Sequence, residues 1–121
     1  KGRPAYFPQL RPEPAACIEK IHAAGGFAVL AHPHTVKIPE GESLESLLRT
    51  LREQGLDGME CYYPGYDAEM VQRLRGLCGR LGLYISGGSD YHGENKPNRM
   101  GLTGTDRIPL CVYEALLLQR K

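Results

Sequence analysis

The chain has 121 residues, 41% hydrophobic and 24% charged, with a formal net charge of +1. That length bounds it to one small domain, and near-balanced, interspersed charges speak against strong nucleic-acid binding. No apolar run approaches the roughly 20 residues of a membrane span and no apolar leader follows the basic start, so a cytoplasmic protein without membrane contact is expected.

Residues 1–12 carry Pro4, Pro8 and Pro12 and show no periodicity, which predicts an extended lead-in segment; residues 13–121 form the folded unit. The opening Lys1-Gly2-Arg3-Pro4 lacks an initiator Met, so a processed or partial sequence is expected. Pro14 suits a first helical turn, and Cys17, Ile18, Ile21 and Ala24 recur at helical spacing before Gly25-Gly26 ends the helix. Phe27 to Ala31 is a continuous apolar run of strand length, the pattern of a strand buried on both faces, and Pro33 stops it. Ser43 is placed to cap a helix with the stripe Leu44, Leu47, Leu48 and Leu51. A strand from Gly58 to Tyr63 follows and breaks at Pro64-Gly65. Asp67 then caps a helix with Met70, Val71, Leu74, Leu77, Cys78 and Leu81 inside and Gly82 at its end. Leu83 to Ser86 reads as the next strand, Gly93 to Gly104 as a loop, and Leu110 to about Gln119 as a last helix.

This αβαβαβα order predicts an α/β fold, about three parallel strands alternating with helices through right-handed crossovers. Three strands cannot close a barrel, so the unit reads as a partial (β/α) barrel with exposed edges through which it would self-associate. The cysteines, Cys17, Cys61, Cys78 and Cys111, lie far apart in apolar contexts with no Cys-x-x-Cys pair, so buried reduced thiols are expected.

Metal-ligand chemistry gathers at strand ends. His32 follows one strand, and Asp90 and His92 follow another after Gly87-Gly88. If the chain stays extended there, their i, i+2 spacing points both side chains one way. In a parallel sheet these ends share one rim, so carboxylate oxygen and imidazole nitrogen would converge on a divalent cation. His34, past Pro33, is open between solvent, substrate and metal. Glu60 suits either an orienting carboxylate behind a ligand or an ordinary packed one. Tyr62, Tyr63 and Tyr66 can stack on a substrate ring or simply pack. Lys96 and Arg99 can neutralise a phosphate or stay solvated. His22 has no partner in view and reads as structural.

Two stretches carry a resemblance: Ile21-His-Ala-Ala-Gly-Gly-Phe-Ala-Val-Leu-Ala-His-Pro-His34 and Ser86-Gly-Gly-Ser-Asp-Tyr-His-Gly93. Together they resemble the C-terminal half of a PHP (polymerase and histidinol phosphatase) domain, in the branch of metal-dependent phosphoesterases acting on nucleotide phosphates. The resemblance runs from about Pro12 to Gly101. It implies half of a distorted seven-stranded barrel holding two or three divalent metals (Mn, Fe, Zn or Mg). Carried over onto its motifs, the resemblance makes His32, Asp90 and His92 ligands; His34, Lys96 and Arg99 stay substrate-side candidates from their positions beside them. It also implies hydrolysis of a small phosphate ester by metal-activated water.

The family's opening His-x-His pair and its middle ligands have no counterpart here. The chain alone is therefore expected to be inactive, binding metal weakly and needing a missing N-terminal half. Histidinol phosphate is the alternative substrate, and a non-catalytic degenerate PHP module the alternative class. A barrel hydrolase acting on amides shares the strand-end logic but lacks a bridging Lys or further His residues here.

Overall fold

The computed structural model describes residues 11–103 and 106–119. Most of the lead-in predicted for residues 1–12 lies outside the described residues; Arg11 and Pro12 are irregular backbone. The element order is α1 (Pro14–Ala23), β1 (Val29–Leu30), a 3-10 turn (Pro33–Thr35), α2 (Leu44–Glu53), β2 (Gly58–Tyr62), α3 (Ala68–Leu81), β3 (Tyr84–Gly87), β4 (Leu102–Thr103), β5 (Asp106–Arg107) and α4 (Leu110–Leu117). β1, β2 and β3 form a parallel sheet with β2 central. The expected alternation of helices with three parallel strands is what folds.

Local chemistry explains the helix starts. The Ser43 hydroxyl accepts the Ser46 N–H while Ser46 Oγ accepts the Ser43 N–H, a reciprocal cap satisfying two otherwise orphaned donors. The Asp67 carboxylate accepts the Met70 N–H, and Gly82 leaves α3 in the left-handed conformation (φ 63°) that a residue without Cβ adopts freely.

The core lies on one face of the sheet. Ile18 of α1, Leu44, Leu48 and Leu51 of α2, and Leu74, Leu77 and Cys78 of α3 pack with Ala28, Met59 and Cys61. Strand pleating sends Met59 and Cys61 into this core and Glu60 to the other face. Leu48, Met59, Leu74, Cys61 and Cys78 are fully buried, each large apolar side chain contributing about 1.5–3 kcal/mol. Cys61 Sγ and Cys78 Sγ lie 3.5 Å apart. Their hydrogen bond, reinforced by burial, pushes the Cys61 thiol up and keeps it protonated.

Four expectations change. β1 is two residues long and half-buried rather than a five-residue strand covered on both faces, because the helices cover one face only and His32 turns the chain away. The Gly93–Gly104 loop contains β4, which pairs antiparallel with β5. Cys111 is exposed and Cys17 half-buried, since α1 and α4 turn those positions away from the core. His22 does have a partner: its Nε2 lies 2.7 Å from Asp57 Oδ2, which also accepts the Ala28 N–H at 2.7 Å.

Candidate functional site

The carboxyl ends of the three parallel strands share one rim. Past β1, His32 sits in left-handed backbone (φ 31°). Its N–H donates to Glu60 Oε2 at 2.6 Å, so the central strand holds the turn that presents the imidazole. Burial pushes the Glu60 carboxyl above the ordinary range, a rise opposed by this N–H bond. Past β3, Asp90 is also left-handed (φ 49°). The expectation of an extended Asp90–His92 segment is thereby corrected: the backbone turns, and His92 Nδ1 folds back onto the Asp90 carbonyl at 2.7 Å. Both residues carry a Cβ in a region that normally disfavours one, at a cost of order 1–3 kcal/mol each.

Tyr63, just past β2, joins the two ends. Its phenol donates to Asp90 Oδ2 at 2.9 Å, and its ring lies 6.0 Å from the His32 ring and 5.0 Å from that of His34. The hydrogen bond to Asp90 holds the Tyr63 phenol above its ordinary range. Lys96 Nζ donates to the same Asp90 oxygen at 2.5 Å; that contact, with the phenol's, holds the Asp90 carboxyl below the ordinary range.

Proton bookkeeping fixes what the rings present. A carbonyl can only accept, so His92 Nδ1 donates to the Asp90 carbonyl, and the neutral ring carries its lone pair on Nε2. Thr35 sends its one hydroxyl proton to the His32 carbonyl (3.0 Å), so its oxygen accepts from His32 Nδ1 at 2.9 Å. His32 therefore presents an Nε2 lone pair as well. His34 is held by Tyr66, whose Oη accepts the His34 backbone N–H (3.4 Å) and lies 2.6 Å from Nδ1.

The rim thus gathers His32, His34, Glu60, Tyr63, Tyr66 and Asp90, with His92 bonded to Asp90 and Lys96 folded over it. A cavity of about 370 Å³ opens beside the tyrosines, lined by Tyr62, Tyr63, Tyr66, Gln72 and Arg75 among others. Arg99 lies apart, on a groove of about 190 Å³ with Pro64, Pro97, Asn98 and Leu102. His22 sits with Asp57, which precedes β2 and so marks the opposite rim. The sequence offered Tyr63 only as a ring that stacks or packs, not as the joint between strand ends, and gave no sign of Thr35 as the support of His32.

Imidazole nitrogen and carboxylate oxygen suit divalent first-row metals, and two rings anchored through Nδ1 match the way ligating histidines are held. In donor chemistry the residues fit such an ion. In number they do not enclose one: among the described residues no group of three His, Cys, Asp or Glu stands ready to hold a metal.

The fold and rim together are a parallel α/β sheet with histidines and a carboxylate at the carboxyl ends of its strands. No protein-family model matches the chain. Among curated proteins it is 33% identical over 92 residues to a 5'-3' exoribonuclease of Haemophilus influenzae, covering 76% of this chain and 33% of that protein. It is 41% identical over 70 residues to a phosphoribosyl 1,2-cyclic phosphate 1,2-diphosphodiesterase of Eggerthella lenta, covering 58% and 24%. With a 3',5'-nucleoside bisphosphate phosphatase of Chromobacterium violaceum it shares 29% identity over 111 residues, 91% and 38% of the two chains. In structure it superposes with a TM-score of 0.70 and 29% identity on a Bifidobacterium adolescentis protein provisionally assigned as a metal-dependent phosphoesterase, over 97% of this chain and 40% of that one. An amidohydrolase from Chromobacterium violaceum with bound sulfate and no metal gives 0.72 and 27%, again over 97% and 40%. The resemblance to part of a PHP-type phosphoesterase domain therefore holds, and the chain spans well under half the length of these relatives.

Proposed function

We propose that this chain supplies one rim of a metal-dependent phosphoesterase that hydrolyses small, nucleotide-type phosphate esters. The observation that supports the reading is that Tyr63 joins two strand ends, its phenol bonded to Asp90 and its ring 6.0 Å from that of His32, with His92 bonded to the Asp90 carbonyl. His32, Asp90 and His92 are the proposed metal ligands. Divalent ions held there would supply Lewis-acid charge for the phosphate and a water acidified to near neutrality. Glu60 fixes the His32 turn, Tyr63 and Lys96 hold Asp90, and His34, bonded to Tyr66 and packed beside Tyr63, is the candidate contact for a phosphate oxygen. Lys96 and Arg99 add positive charge beyond it.

The remaining ligands, and the closure of the sheet into a barrel, are proposed to come from an N-terminal half outside this sequence. The relatives' greater length and the small number of donors in the described residues both support this. The chain alone is then inactive and self-associates or pairs with that half. The exposed Leu110, Tyr113 and Leu117 on α4 favour such association. The names of the curated relatives favour nucleotide-type esters over histidinol phosphate, and favour phosphate esters over amides.

The test is turnover of a 3',5'-bisphosphorylated nucleoside with Mn²⁺. The full-length protein should hydrolyse it and lose at least ~100-fold in kcat on His32→Ala or Asp90→Asn, the usual size of an essential contribution to such chemistry. Robust turnover by the 121-residue chain alone contradicts the incomplete-site reading, and an inert full-length protein contradicts the activity.

A further inference from the structure

We propose that the cavity beside Tyr62, Tyr63 and Tyr66 is a purine-binding subsite, holding the base of a nucleotide whose phosphate lies at the rim. The inference rests on the reading of the rim as a phosphate-ester site. At about 370 Å³ the cavity is of the size of small-ligand sites, and Tyr62, Tyr63, Tyr66, Gln72 and Arg75 line it among others. Two of these residues belong to the rim as well. The Tyr63 phenol donates to Asp90 Oδ2 at 2.9 Å, and the Tyr66 phenol oxygen lies 2.6 Å from His34 Nδ1. Both hydroxyls are thereby tied at the rim, and the two rings, with centroids 5.3 Å apart, form an aromatic wall shared by rim and cavity. A ligand with one anionic end and one flat end fits that arrangement.

Tyr62 and Tyr66 also pack against the core, so the aromatic surface is built before any ligand arrives. The polar groups beside it select the flat ring. Gln72 and Arg75 stand three residues apart in α3 and so share one face of that helix. Among the described residues neither side chain has a hydrogen-bond partner, which leaves the Gln72 carboxamide and the Arg75 guanidinium for a ligand or water. A purine presents N7 as an acceptor beside the N6 amine of adenine or the O6 of guanine. A carboxamide meets the first edge with two bonds and a guanidinium the second. A pyrimidine has no N7 and offers a smaller face to the rings.

The experiment titrates adenosine and uridine into the 121-residue chain and follows the base protons and the tyrosine ring protons by NMR, with no metal present. Adenosine should bind with its H2 and H8 signals moving upfield, as stacking on an aromatic face requires, and uridine should bind more weakly. Tyr62→Leu should weaken adenosine binding about tenfold, the size of one lost base–aromatic stack. Gln72→Ala should weaken it about fivefold, the size of one lost contact to the base edge. Gln72 is an exposed helix position, so that variant carries the test even where Tyr62→Leu unfolds. Arg73→Ala, on the same helix but not lining the cavity, should bind like the parent. No upfield shift at millimolar adenosine, uridine binding as tightly as adenosine, or a Gln72→Ala variant that matches the parent overturns the subsite. The phosphate-ester reading is judged separately by turnover of the full-length protein: activity whose KM is unchanged in Gln72→Ala removes the base subsite alone.

Discussion

Replacing Gly87 and Gly79 separately with alanine should shift stability in opposite directions. Gly87 ends β3 against β2, and a Cβ there would lie 2.7 Å from Tyr62 Cβ and 3.0 Å from Ile108 Cδ1. The end of the Ile108 side chain can shift, but Tyr62 Cβ is fixed to the central strand and cannot yield without moving backbone. Overpacking of this kind costs about 1–3 kcal/mol. Restricting the unfolded chain returns about 0.4–1 kcal/mol, so Gly87→Ala should be net destabilising by about 1–2 kcal/mol. Gly79 lies inside α3 with nothing within 4 Å of a new Cβ. There alanine gains helix propensity with no clash, about 0.5–1 kcal/mol of stabilisation. For a domain of this size each kcal/mol moves the melting midpoint by roughly 3–6 °C. Thermal and urea unfolding followed by circular dichroism separate the two. A Gly87→Ala variant as stable as the parent, or two variants moving the same way, would refute the packing described at the β2–β3 rim.

Leu48 is fully buried between α2 and the sheet, so Leu48→Ala should lower stability by about 2–5 kcal/mol, read from the urea midpoint at constant m-value; a change under 1 kcal/mol speaks against this core. Glu60→Ala removes the acceptor of the His32 N–H, so the His32 amide proton should shift upfield and exchange faster. Net stability should fall only slightly, because a carboxyl whose pKa burial has raised is removed with it; an unmoved His32 amide contradicts the anchoring role. Glu45 bonds Arg49 at 2.8 Å and Arg80 at 3.0 Å, and the Arg80 contact first, then Arg49, hold its carboxyl below the ordinary range. A lowered folded pKa contributes stability above the ordinary carboxylate range and loses it as pH falls through the lowered value. Glu45→Gln should therefore flatten the acid limb of stability at low salt, and an unchanged acid limb rules the pairing out.

The helices were legible because their signals are local. Ser43 and Asp67 cap three residues away, and the Leu44, Leu48 and Leu51 stripe repeats at the helical period. The rim was legible as a set of strand ends but not in its geometry. His32 and Asp90 adopt left-handed backbone where Glu60 and Thr35 hold one, and Tyr63 and Lys96 the other, and two of these four bonds, from Glu60 and Tyr63, are distant in sequence. The same separation, 35 residues, hid the His22–Asp57 pair. Around α4 the run Leu110-Cys111-Val112 through Leu116-Leu117-Leu118 is apolar almost throughout. No period marked the face that buries Val112 and exposes Cys111.

Metal gathering at this rim is tested most directly by proton NMR of the four histidine rings during addition of substoichiometric Mn²⁺. If His32 and His92 present Nε2 to a shared ion near Asp90, their ring signals broaden first and His34, beside them, follows. His22, paired with Asp57 at the far end of the sheet, stays sharp. Broadening of His22 to the same extent, or sharp signals from both His32 and His92, would contradict the rim as a metal site.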